Sequence, residues 1–128
     1  MEYSIRIDDE RQMIVSTVNG EWELLVGRRM SREVMETVQA TGFKLVLVDM
    51  RELVMRITIL QIYERAKELW DEREEFQSYG VRVAVVFTFN DPQFKKNMLF
   101  FETVSQNRGL PYRVFASKQE GLDWLLEP

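Results

Sequence analysis

The amino-acid sequence predicts a single α/β domain, residues 1–128, in which four helices cover a mostly parallel five-stranded sheet. The predicted order of the elements is ββαβαβαβα. Residues 44–49 include four consecutive aliphatic residues, which is typical of a central strand covered on both faces. The segments on either side, 21–39 and 58–79, carry apolar residues at intervals of three to four, which predicts amphipathic helices. No repeat, low-complexity tract or linker divides the 128 residues into two domains.

The composition excludes several kinds of catalytic and binding chemistry. The chain contains no cysteine and no histidine, so disulfides, thiolate zinc sites, cysteine nucleophiles and an imidazole general base are excluded. The net charge is −4 and charges of both signs are interspersed, which argues against nucleic acid as a partner. We therefore expect a protein that is not an enzyme and that uses no cofactor and no metal.

The N-terminal segment bears on where the protein is found. Residues 1–10 are acidic and alternate polar with apolar side chains, which no signal peptide does. No apolar run approaches the roughly 20 residues that a membrane span needs. We therefore expect a cytoplasmic protein with no membrane span.

The first two elements are predicted to form an antiparallel hairpin at one edge of the sheet. Residues 3–7 alternate apolar with polar side chains, and residues 13–18 are rich in β-branched residues. Later elements have local boundary signals of known kinds: helix caps, glycine stops and a proline in a first turn. In chain order these signals are Gly42, Thr58, Gly80, Asn90-Asp91-Pro92, Asn107-Arg108-Gly109 and the capping box Ser117/Glu120. The last two strands are predicted at residues 81–89 and 112–115.

The segment between the central strand and the next helix has the most unusual composition. Residues 50–57 are predicted to form a surface loop at the carboxyl end of the strand, yet five of these eight residues are apolar. Methionine-rich apolar loops suit adaptable surfaces for partners or ligands. The alternative is that the loop folds back and seals the core, or belongs to the helix.

Two charged groups and the glycines bear on possible chemical sites. Arg51 follows Asp49 by two residues and either pairs with it or meets an anion together with Arg56. The acidic run at 72–75 shows no sign of the burial that a catalytic carboxylate pair requires. The glycines form no array that could cradle a phosphate.

The helix predicted from Pro92 carries three consecutive large apolar residues, 99–101. They cannot all face one sheet, so one of them is expected to be exposed or covered by a partner. A homodimer formed through this helix is one interpretation.

Several short motifs together resemble the STAS family, and specifically its SpoIIAA-like branch of stand-alone bacterial proteins related to anti-sigma-factor antagonists. The resemblance covers nearly the whole chain, although each motif alone is weakly specific. The motifs are Asp49-Met50-Arg51, Phe101-Glu102, Asn107-Arg108-Gly109, Phe115 and Trp124-Leu125.

The resemblance implies a SpoIIAA-like fold and a non-catalytic regulatory role with a protein partner, such as an anti-sigma-factor-like kinase. In such proteins a Ser or Thr in a motif of the form Asp-Ser-Ser/Thr-Gly is phosphorylated as a switch. The corresponding segment here is Ile57-Thr58-Ile59-Leu60, in which only Thr58 matches as the phosphoacceptor.

The sequence thus supports two hypotheses of different classes. The first is a regulatory protein-interaction module that contacts its partner through residues 50–58 and the start of the following helix. The second, which the resemblance implies, is a small-ligand protein that binds a lipid or a nucleotide. The residues expected to contact the partner are Asp49, Arg51, Leu53, Val54, Met55 and Thr58.

Overall fold

The computed structural model describes residues 1–88 and 91–128, with the backbone alone at residues 73, 75 and 76. Within these ranges the chain forms five strands and five helices. Their bounds are β1 (Glu2–Asp8), β2 (Met13–Glu21), α1 (Leu24–Thr41), β3 (Leu45–Val54), α2 (Ile59–Asp71), α3 (Arg73–Tyr79), β4 (Arg82–Val86), α4 (Pro92–Asn107), β5 (Tyr112–Phe115) and α5 (Lys118–Leu125).

The five strands form one sheet in the order β1-β2-β3-β4-β5. β1 pairs antiparallel with β2, as the predicted hairpin requires, and the pairs that follow are parallel. The sheet is therefore mixed, and its description as mostly parallel is corrected. The connection after β1 is a short turn, which permits only an antiparallel partner, whereas a helix follows each of the other strands.

The helix count of four is wrong, because the described residues contain five helices. The long helix predicted between Thr58 and Gly80 is divided in two. α2 ends at Asp71, and the backbone N–H of Glu72 donates to the carbonyls of Leu69 and Trp70, which tightens the last turn. No glycine or proline marks this position, so the apolar periodicity continues across the break and does not reveal it.

The central strand continues five residues beyond Asp49, where the sequence predicts its end. Residues 19–21 of β2 supply hydrogen-bonding partners for residues 52–54, so the chain remains extended. Between the pairs Thr17–Asp49 and Asn19–Glu52, β3 contains one more residue than β2, which is a β-bulge. The predicted loop 50–57 is therefore strand as far as Val54.

The bulge changes the direction in which the side chains point. Arg51 and Glu52, adjacent in sequence, are both exposed, whereas Met50 and Leu53 are both buried. In a regular strand the adjacent residues Arg51 and Glu52 would point to opposite faces of the sheet, and so would Met50 and Leu53, which are three positions apart.

The two faces of the sheet are covered by different numbers of helices. α1, α2 and α4 lie over one face, on a core that includes Val46 and Val48 of β3. The other face is covered by α5, on a smaller core that includes Leu47 and Val86. α5 approaches closely because Gly121 lacks a side chain: a Cβ there would lie 3.2 Å from Val86 Cγ2.

Most predicted boundary signals act as expected. Gly42 ends α1 in the left-handed conformation, with φ 74°. Asp91 caps α4, its carboxylate accepting from the N–H of Gln93 at 2.9 Å. Ser117 caps α5 by accepting from the N–H of Glu120, but the described structure shows no reciprocal bond to the Glu120 side chain, so the predicted capping box is only half formed. Asn90, predicted to share in the start of α4, lies outside the described residues. No helix in the described ranges is long and apolar enough to cross a membrane.

Candidate functional site: an apolar rim and the cavity beneath it

Four helices begin at one edge of the sheet. The parallel strands β2, β3, β4 and β5 all end at this carboxyl edge, and α1, α2, α4 and α5 begin after them. In open α/β sheets such an edge is where ligands and partners bind. The sequence-predicted site residues all lie on β3 or on the connection that follows it.

Asp49 and Arg51 form a two-pronged ion pair at this edge. Arg51 Nε donates to Asp49 Oδ1 at 2.9 Å, and Nη2 donates to Oδ2 at 2.7 Å. Burial opposes ionisation of Asp49, but the hydrogen bonds from Arg51 outweigh it and hold the pKa of this carboxyl below its ordinary value. Of the two interpretations of Arg51, the structure shows the ion pair. A carboxyl with a lowered pKa is ionised at neutral pH and is not a general acid.

Thr58 caps α2, as predicted. Its hydroxyl oxygen accepts from the N–H of Gln61 at 3.1 Å, while Gln61 Oε1 accepts from the N–H of Thr58 at 2.8 Å. This reciprocal arrangement is a capping box. Thr58 is exposed, at the carboxyl edge.

Five large apolar side chains stand exposed near the same edge, and we call them the apolar rim. They are between 42% and 74% exposed, and they come from the start of α1, the end of β3 and the first turn of α2. A hydrogen bond from the N–H of Trp22 to the carbonyl of Val54, 2.8 Å long, joins the ends of β2 and β3 within it. The rim residues are Leu24, Leu25, Val54, Ile59 and Leu60.

The rim contains only part of the predicted contact set. Val54 and Thr58 are exposed there, and Met55 is partly buried against the core. Leu53 is 5% exposed and offers no contact surface, because the bulge turns it inward. Asp49 and Arg51 lie toward α5, since the charge of Lys118 acts on Asp49. Ile59 and Leu60 belong to the start of α2, which was predicted to take part in the contact, although neither was named as a contact residue. Leu24 and Leu25 were missed, because an amphipathic pattern assigns a helix's apolar residues to its buried face.

An apolar cavity of about 330 Å³ lies beneath the rim, between α1 and α2. Its floor is the sheet, and α1, α2 and α4 form its walls. Burial raises the pKa of Tyr112, at the β5 end of the floor, to about 12. Water is poorly held in such a space, because a buried water molecule needs two to four polar partners. Lining side chains include Met30 and Val34 of α1, Ile62 and Leu69 of α2, Val48, Val83 and Val85 of the sheet, and Phe101 of α4.

Polar side chains join α1 and α2 across the cavity, and we call this group the ion-pair clasp: Arg28, Ser31, Arg65 and Glu68. Glu68 accepts from Arg28 Nε at 3.1 Å and from Arg65 Nη1 at 3.1 Å. Arg65 Nη2 also donates to Ser31 Oγ at 2.8 Å. The hydrogen bond from Arg28 is the main cause that lowers the pKa of Glu68.

At the end nearest the rim the cavity is lined by Trp22 and Leu24 on one side and by residues 55–57 on the other, and we call this end the mouth. Here the Trp22 ring packs directly against Gly27, in the space that a side chain at residue 27 would need. Arg56 lines the mouth. The sequence gives no signal for the cavity, because the distance between two helices is not encoded in the periodicity of either.

Outside the carboxyl edge of the sheet and α4, the described residues offer no candidate metal site. Within residues 1–88 and 91–128 no group of three or more acidic side chains could hold a metal ion.

On α4, Leu99 is exposed, whereas Phe101 packs edge-on against Tyr112 with ring centroids 5.6 Å apart. The homodimer remains a prediction.

The arrangement of the sheet and helices defines a SpoIIAA-like fold, and the resemblance stated from the sequence is confirmed at the level of the fold. An anti-sigma factor antagonist from Mycobacterium paratuberculosis superposes with a TM-score of 0.60 and 12% identity, over 98% of this chain and 96% of that chain. The Bacillus cell fate determinant SpoIIAA in its phosphorylated form superposes with a TM-score of 0.54 and 14% sequence identity, over 96% of this chain and 98% of that chain.

A third similar structure is an uncharacterized protein of the DUF3478 family, with a SpoIIAA-like fold, from Shewanella loihica PV-4. Its TM-score is 0.58 and its identity 17%, over 96% of this chain and 93% of that chain. No protein-family model matches the sequence, and no curated protein matches it significantly. At these identities the similarity shows the fold alone.

Proposed function

We propose that this protein is a non-catalytic regulatory module that binds a protein partner through the apolar rim. The observation that carries the proposal is the exposure of Leu24, Leu25, Val54, Ile59 and Leu60 at one end of the molecule. Exposed apolar side chains gathered in one place mark interaction surfaces. Of the contact residues expected from the sequence, the proposal retains Val54, Met55 and Thr58 for direct contact.

The fold supports the choice of partner. Two of the similar structures, the Mycobacterium paratuberculosis protein and SpoIIAA in its unphosphorylated form, are anti-sigma factor antagonists by name, which points to an anti-sigma factor as the kind of protein they oppose. The proposed partner is accordingly an anti-sigma-factor-like kinase. The non-catalytic assignment is supported by the ion pair at Asp49, which keeps the most prominent carboxylate of the edge ionised and bound to Arg51.

Thr58 is the proposed phosphoacceptor, because its exposed hydroxyl adjoins Ile59 and Leu60 of the rim. A phosphate there would bring nearly two negative charges to the start of α2, where the helix dipole favours them. The same charges would penalise burial of the rim under an apolar partner surface. Phosphorylation is therefore proposed to release the partner.

The test of the rim is Leu60→Glu. Leu60 is 64% exposed in the first turn of α2, where a carboxylate suits the helix dipole, so the fold should be retained. Tagged wild-type and variant proteins would be purified from the native cells, and the bound proteins quantified by mass spectrometry. We expect the variant to lose a partner that the wild type retains, by about tenfold or more, since truncating or charging a central contact commonly costs 2 kcal/mol or more.

The matched control is Leu126→Glu. Leu126 is also an exposed leucine, 51% exposed, but it follows α5, beside the start of β4 at the opposite edge. It should leave partner binding unchanged. Equal loss with both variants, or no loss with Leu60→Glu, would contradict docking at the rim.

A second candidate function is the binding of a small apolar ligand, and the cavity of about 330 Å³ is the observation that favours it. Ligand sites are commonly apolar clefts of about 300–1,000 Å³ with a few polar groups. A lipid-like ligand suits the aliphatic walls better than a nucleotide, which needs partners for its phosphates. Native mass spectrometry of freshly purified protein should show a retained ligand, and a mass of the chain alone would count against this candidate.

A further inference from the structure

We propose that the cavity binds one free linear monocarboxylate of the fatty-acid class, with its hydrocarbon chain inside and its carboxylate at the mouth beside Arg56. This inference rests on the second candidate function and names its ligand. Three observations carry it: the shape of the cavity, the chemistry of its walls and the charge at its mouth.

The cavity is long enough for an extended chain. Along α2 its lining runs from Gln61 to Leu69, and at 1.5 Å per residue this is about 12 Å. Across the floor it runs from Val48 on β3 to Tyr112 on β5, two strand spacings or about 10 Å. A flexible hydrocarbon chain can occupy both extents by bending within the cavity.

Away from the clasp and the Tyr112 hydroxyl, the interior side chains offer a chain apolar contacts. Arg65 and Glu68 hydrogen-bond to each other and to Ser31 and Arg28 of α1, so both charges are paired within the protein. The clasp joins α1 to α2 at mid-length, which leaves the mouth at the carboxyl edge as the natural entrance. A polar head group is therefore expected at the mouth and not in the interior.

The mouth carries an unused positive charge. Within residues 1–88 and 91–128, Arg56 makes no hydrogen bond and no ion pair, in contrast to Arg28 and Arg65 of the clasp. α1 and α2 both begin here, and neither has an acidic residue in its first turn. The helix dipoles therefore add to the charge of Arg56.

The acidic groups near the mouth do not cancel this charge. Glu23, the cap residue of α1, is paired with the N-terminal amine at 3.1 Å. Glu64 also lines the cavity, but it lies beyond the first turn of α2. The mouth therefore favours an anionic head group over a neutral or a cationic one.

The test compares three ligands of equal chain length by isothermal titration: dodecanoate, methyl dodecanoate and dodecylamine, each below its aggregation concentration. We expect one site per chain and binding of dodecanoate about tenfold or more tighter than that of the other two, as a charge-assisted hydrogen bond provides. Arg56→Gln should remove this preference and leave the affinity for the ester unchanged. The control Arg113→Gln removes an exposed arginine on the α5 side, over Trp124, and should change nothing.

A cavity-filling variant locates the chain. Val48→Phe places a ring in the floor and should abolish binding of all three ligands, and Val85→Phe on the neighbouring strand serves the same purpose if the first variant does not fold. Equal affinity for acid and ester, or a preference that survives Arg56→Gln, would overturn the carboxylate assignment while the second candidate function stands. Binding that survives both fillings would place the ligand elsewhere and overturn the inference. No binding of the three ligands by the wild type would also overturn it, while the second candidate function is decided separately by the native mass spectrum.

Discussion

Glu68 is the carboxylate of the ion-pair clasp between α1 and α2. It accepts hydrogen bonds from Arg28 of α1 and Arg65 of its own helix, and the hydrogen bond from Arg28 is the main cause of its lowered pKa. A carboxyl whose pKa is lower in the folded than in the unfolded protein stabilises the fold while it is ionised. Its contribution is therefore complete above its ordinary pKa of 4.5 and is lost as the pH falls through the folded value.

We predict that Glu68→Gln lowers the free energy of unfolding at neutral pH by up to about 1 kcal/mol, the usual size of a partly exposed ion pair. The difference from the wild type should shrink as the pH falls below 4.5. Urea unfolding over this pH range measures it. Glu36→Gln, on the exposed face of α1, controls for the loss of one negative charge, and a difference independent of pH would contradict the role of the clasp.

Among the elements, β3 departs most from expectation. Its extension past Asp49 pairs with the end of β2, and the bulge buries Leu53 while Val54 stays exposed. These neighbouring aliphatic residues consequently have opposite roles, one in the core and the other in the apolar rim.

Alanine substitution should separate the two roles. We predict that Leu53→Ala lowers the free energy of unfolding by about 2–5 kcal/mol, because it leaves a cavity in the core. Val54→Ala should change it by no more than about 0.5 kcal/mol, as is usual for exposed sites. Chemical denaturation measures both. Similar costs for the two would mean that the bulge does not set the orientation of this segment.

The elements show what local sequence can predict. The caps Thr58, Asp91 and Ser117 act within a few residues of themselves, and they were predicted correctly. The extension of β3 depends on hydrogen bonds from residues 19–21, more than thirty positions earlier in the chain, and no local pattern encodes it. The end of α2 at Asp71 likewise lacks a breaker residue.

At the scale of the whole molecule, the two faces of the sheet are covered unequally. Three helices stand on one face and leave a cavity of about 330 Å³, whereas α5 lies closely on the other. The close approach depends on Gly121, above Val86, Leu47 and Ala84. The carboxyl edge could be predicted from the sequence as the site, because the order of strands and helices determines it. The cavity could not, because it results from the separation of α1 and α2.

This asymmetry predicts unequal tolerance of added volume. We expect Gly121→Val to lower the free energy of unfolding by about 1–3 kcal/mol, because the new side chain would overlap atoms of the sheet that lie 3.2–3.5 Å from a Cβ. Ala40→Val, at an exposed position of α1, should cost only a few tenths of a kcal/mol, through helix propensity. Thermal unfolding measures both, and a neutral Gly121→Val would show that α5 can shift freely.

The bulge in β3 also affects how the chain behaves at high concentration. Within the described residues β4 pairs with β3 only as far as Asp49, and beyond it the Thr88 hydroxyl donates to the carbonyl of Arg51. Residues 52–54 are the part of this edge that a strand from another molecule could join. The extra residue bends that edge, and Arg51 and Glu52 place charges of both signs beside it, which are the features by which natural sheets resist such pairing. A deletion that restored regular pairing with β2 would remove this protection, and the molecule would then acquire a template for fibrous aggregation.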